Sequence, residues 1–219
     1  MNREIRSYVL RQGRTTPSQQ KAVEELFPRF GISFSDRILD FSNMFGRTAP
    51  VVLEIGSGMG ETTAEIASAN PQTDFIAIEV HGPGVGSLLK KIVELGLTNL
   101  RVIRHDAVEV LERMIADGSL AGIHLFFPDP WPKKRHHKRR LVQAPFAALA
   151  ARKLAPGGYF HAATDWPEYA VQMDEVFSLN VSLKKDREER NSRPVTKFER
   201  RGIGLGHPVR DLLFLRRKE

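Results

Sequence analysis

The sequence predicts an α/β fold built around a mostly parallel β-sheet with helices on both of its faces. From Val51 to Phe177, short apolar runs alternate with amphipathic segments of about ten residues, the pattern of strands joined by crossover helices. Such crossovers are right-handed in almost all known folds. One further strand, 209–216, is reached through glycines and has no helix pattern after it, so we expect it to be antiparallel.

Each element follows from an apolar run and from the residues that interrupt it. Thr16-Pro17-Ser18 is typical of a helix start. Val23, Leu26 and Phe27 then fall on one face of a short helix. Asn70-Pro71 ends the first helix of the alternating region. The predicted strands are 51–55, 74–79, 100–104, 122–127, 159–163 and 209–216, and the helices between them are 62–69, 85–95, 108–116, 139–154 and 166–177.

Composition limits the class of protein and of partner. A chain of 219 residues is long enough for one well-buried domain and a modest extension, and we expect a basic extension over 1–48 and one domain over 49–219. The net charge of +7 favours a polyanionic partner. The chain has no cysteine, which excludes disulfides and thiolate metal sites. It shows neither a signal peptide nor a membrane-length apolar run, so we expect a soluble cytoplasmic protein.

A glycine-rich loop lies where the first strand of the alternating region meets its helix. Its residues are Glu54-Ile55-Gly56-Ser57-Gly58-Met59-Gly60, and glycines there let the backbone approach a ligand near free helix N–H groups. The dinucleotide-binding fingerprint needs a small residue at position 61, but Glu61 is large and charged. An acid ahead of alternating glycines instead resembles class I methyltransferases, which bind S-adenosylmethionine.

Acidic residues also stand at the ends of the next two strands. Glu79 lies where a carboxylate can accept hydrogen bonds from both ribose hydroxyls, although it can equally cap the next helix. Asp106 can meet an adenine amino group or cap the helix that follows it. Because parallel strands end at the same edge of a sheet, Glu54, Glu79 and Asp106 should converge on one crevice.

The most informative segment follows the strand predicted at 122–127. Asp129 lies between two prolines and is followed by Trp131, which can stack on a nucleotide or simply cover the strand end. The next eight residues, 133–140, carry six permanent cations, two histidines and no acid, which is +6 of the net +7. This grouping suggests an enzyme acting on a nucleic-acid base, and the alternative is a solvated loop. His136 and His137 have no partner at metal-ligand spacing, so we expect no metal site.

Several motifs together resemble the bacterial tRNA (guanine-N7-)-methyltransferase (TrmB) family, nearly from end to end. They are the glycine loop 54–60, Phe127-Pro128-Asp129-Pro130-Trp131, residues 136–140 of the cationic run 133–140, the stretch 193–199, and the terminal segments 11–14, 205–207 and 211–214. One difference is Pro132, where the family has a more variable polar residue; the proline stiffens the turn. The resemblance implies a Rossmann-like class I methyltransferase fold with a seven-stranded, mostly parallel sheet and an antiparallel C-terminal strand.

The resemblance also implies an activity and a set of site residues. The domain 49–219 would methylate N7 of guanine 46 in the tRNA variable loop, with S-adenosylmethionine as cofactor and S-adenosylhomocysteine as product. Asp129 matches the catalytic position and also a cofactor position. The other cofactor positions are Glu54, Gly56, Gly58, Gly60, Glu79 and Asp106. The substrate and RNA positions are Lys133, Arg135, His136, His137, Lys138, Arg139, Arg140, Asp165, Thr196, Lys197, Phe198 and Glu199.

Alternatives remain open at this level. Asp165 can cap the helix predicted at 166–177, and 196–199 can be an ordinary amphipathic edge. A methyltransferase for an exocyclic amine also places an acid or amide, proline and an aromatic residue after this strand, although its usual motif has two prolines before the aromatic. A non-catalytic RNA-binding protein that senses S-adenosylmethionine would have no physical need of Asp129. Nothing in the sequence distinguishes a monomer from a homodimer.

Overall fold

The computed structural model describes residues 6–9, 15–186, 193–195, 199 and 208–218. Its strands are β1 (Gly31–Ile32), β2 (Val51–Ile55), β3 (Asp74–Ile78), β4 (Leu100–Ile103), β5 (Leu120–Phe126), β6 (Leu154–Thr164), β7 (Leu183–Lys185) and β8 (Arg210–Arg216). Its helices are α1 (Pro17–Phe30), α2 (Phe41–Phe45), α3 (Glu61–Ala69), α4 (Gly82–Glu94), α5 (Ala107–Arg113), α6 (Ala144–Lys153) and α7 (Pro167–Ser178), with a 3-10 helix at Lys134–Arg139. None of the helices over the described residues is long and apolar enough to cross a bilayer.

The strands form one sheet in the order β1-β4-β3-β2-β5-β6-β8-β7. Strands β1 to β6 pair in parallel, and β8 runs antiparallel to both of its neighbours. Alternate residues face opposite layers: Leu53 packs with α5, α6 and α7, whereas Val52 packs with α1, α3 and α4. The predicted α/β class, with its mostly parallel sheet, helices on both faces and antiparallel C-terminal strand, is confirmed.

Over the described residues the sheet has eight strands rather than the seven that the resemblance implied. The apolar pattern predicted neither β1 nor β7, which are two and three residues long. Both stand at an edge of the sheet, where Gly31 pairs with Val102 and Leu183 pairs with Arg216. Strands of this length bury too few side chains to leave a periodic signal in the sequence.

The helix predicted at 139–154 begins at Ala144, so its predicted start was wrong. Residues Lys134–Arg139 instead form the 3-10 helix, and Pro145 lies in the first turn of α6, where a proline ring is tolerated. The strand predicted from residue 159 begins at Leu154, because Leu154 pairs with Leu120 ahead of an irregularity in the ladder. Strands β3 and β5 end one residue earlier than predicted, which leaves Glu79 and Phe127 just beyond them.

The N-terminal part of the chain packs on the sheet layers. Helix α1 begins with a capping box, in which Thr16 Oγ1 accepts from the Gln19 N–H at 3.2 Å and Gln19 Oε1 accepts from the Thr16 N–H at 3.0 Å. A Cβ at Gly86 of α4 would lie 2.4 Å from the Gln19 carbonyl oxygen, so glycine permits α1 and α4 to pack this closely. The division of the chain at residue 48 stays a prediction.

Candidate active site

A cavity of about 220 Å³ lies at the carboxyl ends of β2, β3, β4 and β5. Residues from all four strand ends line it, and Ser7 and Tyr8 of the N-terminal segment complete its wall. Three of the four predicted acids reach this cavity, namely Glu79, Asp106 and Asp129. The structure therefore brings together side chains that lie up to 50 residues apart in sequence, as the parallel topology predicts.

The glycine loop owes its shape to left-handed backbone. Gly56, Gly58 and Gly60 have φ values of 76°, 56° and 77°, a region that side chains disfavour. The Gly56 N–H donates to the Ile78 carbonyl at 2.8 Å, which ties the loop to β3. Helix α4 packs so closely beneath the loop that a Cβ at Gly84 would lie 2.3 Å from the Gly58 carbonyl oxygen.

Glu79 is buried and fastened to the glycine loop. Its Oε2 accepts a hydrogen bond from the Gly58 N–H at 2.7 Å, and its Oε1 accepts from the His81 N–H at 2.8 Å. Each carboxylate oxygen can accept more than one hydrogen bond, so these contacts fix the side chain and still leave acceptor capacity toward the cavity. The carboxylate is thus held at the cavity wall and does not turn to solvent.

Glu54 and Asp106 differ in their position relative to the cavity. Glu54 lies beneath the glycine loop, where burial raises its pKa to about 7; the nearby Thr63 opposes this shift and the nearby Glu79 adds to it. It does not line the cavity. Asp106 lines the cavity and also caps α5, because its Oδ1 accepts from the Val108 N–H at 2.8 Å and the Glu109 N–H at 3.3 Å. Both sequence interpretations of Asp106 are therefore compatible with its placement.

Asp129 stands on a loop with strained backbone on both sides. Phe127 and Trp131 have φ values of 51° and 46°, and over the described residues no other non-glycine residue has a positive φ. Strain of this kind persists only where the surroundings enforce it, and it concentrates at functional sites. The Phe127 N–H donates to the Ala163 carbonyl at 2.8 Å, so the loop is joined to β6 at its start. Asp129 itself is exposed at the rim of the cavity.

Trp131 holds the N-terminal segment over the cavity. Its indole N–H donates to the Ser7 carbonyl at 3.0 Å. The Arg139 guanidinium lies 4.0 Å from the centroid of the indole ring and donates to the carbonyls of Arg6 and Tyr8, each at 3.1 Å. Neither of the two roles considered from the sequence, stacking on a nucleotide or covering a strand end, describes these contacts fully.

The cationic run divides into exposed and internal side chains. Lys133, Lys134, Arg135 and Lys138 are exposed, as an RNA-contacting surface requires. Arg140 is buried at 3% exposure and donates to the Pro130 carbonyl at 2.8 Å and to Gln172 Oε1 at 2.5 Å. His137 Nε2 lies 3.1 Å from Arg140 Nη2. Arg140 therefore supports the Asp129 loop from inside the protein.

The His136 ring belongs to the cationic run and packs against the Asp129 loop. It meets the Trp131 ring edge-on, with 5.8 Å between the two centroids. Desolvation and the neighbouring cations, Arg135 first among them, lower the pKa of His136. Over the described residues no group of three or more His, Asp or Glu side chains has the arrangement of a metal site.

The remaining predicted substrate residues have different surroundings. Asp165 follows β6 and is partly exposed; it does not cap α7, because the N-cap residue is Trp166 and no side-chain cap bond forms. Glu199 is fully buried and accepts a hydrogen bond from Arg193 at 2.5 Å. Thr196, Lys197 and Phe198 lie outside the described residues.

The sequence pattern assigned no role to three further residues that form a buried cluster. Arg193, His161 and Asp211 are all buried, and they are joined by hydrogen bonds. One signal was present in the sequence, since His161 lies within an apolar part of β6 and Asp211 directly precedes the apolar run of β8. Their pairing across 50 residues needs the tertiary structure.

Comparison with solved structures supports the fold. The 16S rRNA methyltransferase KamB superposes with a TM-score of 0.59 at 17% identity, covering 83% of this chain and 95% of that one. The antibiotic-resistance methyltransferase Kmr superposes with a TM-score of 0.58 at 16% identity, covering 86% of this chain and 95% of that one. At such identities the likeness concerns the fold alone.

Comparison of sequences is more specific. A family model described as a putative methyltransferase matches residues 48–212. The tRNA (guanine-N(7)-)-methyltransferase of Chromobacterium violaceum is 58% identical to this chain. The alignment covers 98% of this chain and 97% of the Chromobacterium protein. The protein of the same name from Nitrosomonas eutropha is 57% identical, covering 96% of each chain. With such identities over nearly its whole length, the chain belongs to the tRNA (guanine-N(7)-)-methyltransferase family.

Proposed function

We propose that the protein transfers a methyl group from S-adenosylmethionine to N7 of guanine 46 in the tRNA variable loop, giving 7-methylguanosine, and that it does so in the cytoplasm. The observation that carries the proposal is that Gly56, Glu79 and Asp129 line the same cavity. A cofactor bound by the glycine loop would meet a base at Asp129, beside the exposed cations. Relatives that are 54% to 58% identical are named tRNA (guanine-N(7)-)-methyltransferase.

The residues at the cavity suit this cofactor. Gly56 and Gly58 have nothing within 4 Å of the place where a Cβ would stand, so the loop leaves room for a ligand to approach the backbone. Carboxylates match the positive charge and the hydroxyl groups of S-adenosylmethionine. We assign cofactor binding to the glycines of the loop and to the acids at the strand ends: Glu54, Gly56, Gly58, Gly60, Glu79, Asp106 and Asp129. Of these, Glu54 acts from beneath the loop.

Catalysis requires alignment and charge stabilisation more than proton transfer. S-adenosylmethionine supplies a methyl group on a positively charged sulfur and leaves as S-adenosylhomocysteine. Guanine N7 offers an in-plane lone pair and carries no proton, so the chain needs neither a general base nor a metal ion for this step. Asp129 accepts hydrogen bonds from guanine N1–H and its 2-amino group and so orients the base. Its negative charge stabilises the base as the N7–carbon bond forms and the base becomes cationic.

The exposed part of the cationic run is the proposed contact with tRNA phosphates. Lys133, Arg135 and Lys138 are exposed and can meet the backbone of the RNA, whereas Arg139 holds the N-terminal segment and Arg140 holds the Asp129 loop. Asp165 follows β6, the strand next to β5, and its assignment to substrate binding stays a prediction from the family resemblance. The assignment of 196–198 to substrate binding stays a prediction from the family resemblance, as does the extension 1–48.

The function is tested by incubating the purified protein with unmodified tRNA and S-adenosylmethionine and analysing the nucleosides by mass spectrometry. We expect 7-methylguanosine, and we expect a transcript with adenosine in place of guanosine 46 to remain unmethylated. An amine-methylated nucleoside would instead indicate an exocyclic-amine methyltransferase. Binding of both ligands without any methylated product would indicate a non-catalytic sensor.

Replacing Glu79 with alanine should weaken cofactor binding without unfolding the protein. The change removes the acceptor of the Gly58 N–H and a carboxylate at the cavity wall. Losing charge-assisted hydrogen bonds of this kind should cost about 2–4 kcal/mol of binding free energy. Calorimetric titration with S-adenosylmethionine measures the loss, and Glu65→Ala, on the exposed surface of α3, is the control. Equal affinities for both variants would contradict the assignment.

Removing three of the four exposed cations of the run should weaken tRNA binding in a salt-dependent way. In the triple variant Lys133→Ala, Arg135→Ala, Lys138→Ala, each lost phosphate contact should reduce the slope of log affinity against log salt by roughly 0.7–0.9. Cofactor affinity should not change. Fluorescence anisotropy at several salt concentrations measures the slope.

The matched control for this triple variant removes two lysines and one arginine elsewhere. The exposed residues Lys184, Arg217 and Lys218 lie on β7 or just after β8, away from the cavity. Replacing them with alanine should leave the slope nearly unchanged. An equal loss of slope in both triple variants would show that net charge, and not the run 133–138, sets the affinity.

Asp129→Asn should reduce the rate of methyl transfer by about 10²–10³-fold, the scale observed when one preorganised electrostatic partner is lost. The amide keeps the size of the side chain, but it removes the charge and turns a donor toward the donors of guanine. Single-turnover measurements with saturating tRNA and cofactor report on this step.

A pH profile of the same step tests the claim that no general base acts. Cofactor must be saturating at every pH, since Glu54 has a pKa of about 7 and its ionisation can alter cofactor affinity. We expect no unit-slope rise of the wild-type rate between pH 6 and 8. A rise that disappears in Asp129→Asn would identify Asp129 as a base and would favour amine methylation.

A further inference from the structure

A buried arginine joins strand β8 to the start of the Asp129 loop. The Arg193 side chain is 1% exposed, and it donates from Nε to Asp211 Oδ1 at 2.6 Å and from Nη2 to Asp211 Oδ2 at 2.8 Å. Its Nη1 donates to Glu199 Oε2 at 2.5 Å. His161 Nε2 lies 2.8 Å from Asp211 Oδ1. One guanidinium thus bridges two buried carboxylates that lie on different segments of the chain.

The charges of this cluster are strongly coupled. Burial raises the pKa of Asp211, but hydrogen bonds from His161 and Arg193 outweigh it and lower the value to about 2. Burial opposes the charge of Arg193, yet the two carboxylates raise its pKa above the ordinary value. A buried ion cluster contributes little net stability compared with well-packed apolar residues. Its geometric precision therefore points to a positioning role.

The same guanidinium packs against the start of the Asp129 loop. Its central carbon lies 5.7 Å from the centroid of the Phe126 ring and 5.6 Å from that of Phe127. Phe127 is one of the two residues with strained backbone beside Asp129, and Asp129 follows it by two positions. A shift of Arg193 would therefore change the packing of the residue from which the catalytic loop begins.

We propose that Arg193 is a positioning residue for methyl transfer, which fixes Phe127 and hence Asp129, and that Glu199 acts through Arg193 and does not contact the substrate. The proposal rests on the function proposed above and deepens it. It also gives the buried Glu199 a role different from the substrate contact that the family resemblance implied. Asp211 is the anchor, because its bidentate pairing sets the plane of the guanidinium.

The test compares Arg193→Lys with a control of similar cost to stability. A lysine keeps the charge but cannot bridge both carboxylates in the plane of a guanidinium. The control is Lys153→Met, which removes another buried cation, bonded to the Ile115 carbonyl and to Asp117 Oδ1, each at 2.7 Å. Lys153 is the last residue of α6 and directly precedes β6. It therefore lies at the amino ends of the strands, whereas the cavity lies at their carboxyl ends. Both variants are assayed at a temperature at which thermal unfolding curves show them to be folded.

We expect Arg193→Lys to lower the single-turnover rate 10- to 100-fold, since small misplacements of a catalytic group have effects of this size. Its dissociation constants for cofactor and tRNA should stay within about threefold of wild type, because the cavity wall and the exposed cations are unchanged. Lys153→Met should keep the wild-type rate. Equal rates in the two variants would overturn the proposal.

A second variant and a second readout keep the result decisive. Glu199→Gln should lower the rate and leave tRNA affinity nearly unchanged, whereas a tenfold or larger loss of tRNA affinity would show direct substrate contact and contradict the indirect role. Amide hydrogen exchange at Phe127, Asp129 and Trp131 should become faster in Arg193→Lys and not in Lys153→Met. This readout needs no activity: if the wild-type protein makes no 7-methylguanosine, the function proposal fails, while exchange still decides whether Arg193 holds the loop.

Discussion

The strained turn that carries Asp129 is the constraint on which the site depends. Left-handed backbone at a non-glycine residue costs about 1–3 kcal/mol, and the loop has it at both Phe127 and Trp131. Contacts from three sides enforce this conformation: Arg193 packs on Phe127, Arg140 donates to the Pro130 carbonyl, and Trp131 donates to Ser7. The exposed carboxylate is therefore placed by a buried framework, which matches the needs of a reaction that depends on alignment.

Burial separates the charged residues of the site into two groups. Lys133, Arg135 and Lys138 stay in water, where they keep a long-range attraction for a polyanion. Arg140 and Arg193 are buried and donate their hydrogen bonds to carbonyl and carboxylate groups of the protein. Cationic residues in this chain thus serve both to attract a polyanion and to hold the structure of the site. Residue type alone does not show which of these two roles a given residue has.

Glu54 shows the same principle on the acidic side. Its carboxyl has a pKa of about 7 because burial disfavours the charged form. This value lies above the ordinary one, so the folded state binds the proton more tightly than the unfolded state does. The resulting stabilisation is fully present below the unfolded pKa and is lost as the pH rises through about 7. A buried acid of this kind beneath the glycine loop becomes easier to ionise when a positive charge binds nearby.

The sequence by itself determined the α/β class, the order of the long elements and the strand ends at which Glu79, Asp106 and Asp129 lie. These follow from local periodicity and from the rule that parallel strands end at one edge. Only the tertiary structure decided that Arg140 and Glu199 are buried, that Trp131 holds the N-terminal segment, and that β1 and β7 complete the sheet. The physical reason is that burial and pairing depend on partners distant in sequence, such as Asp211 for His161. A local sequence pattern does not identify such partners.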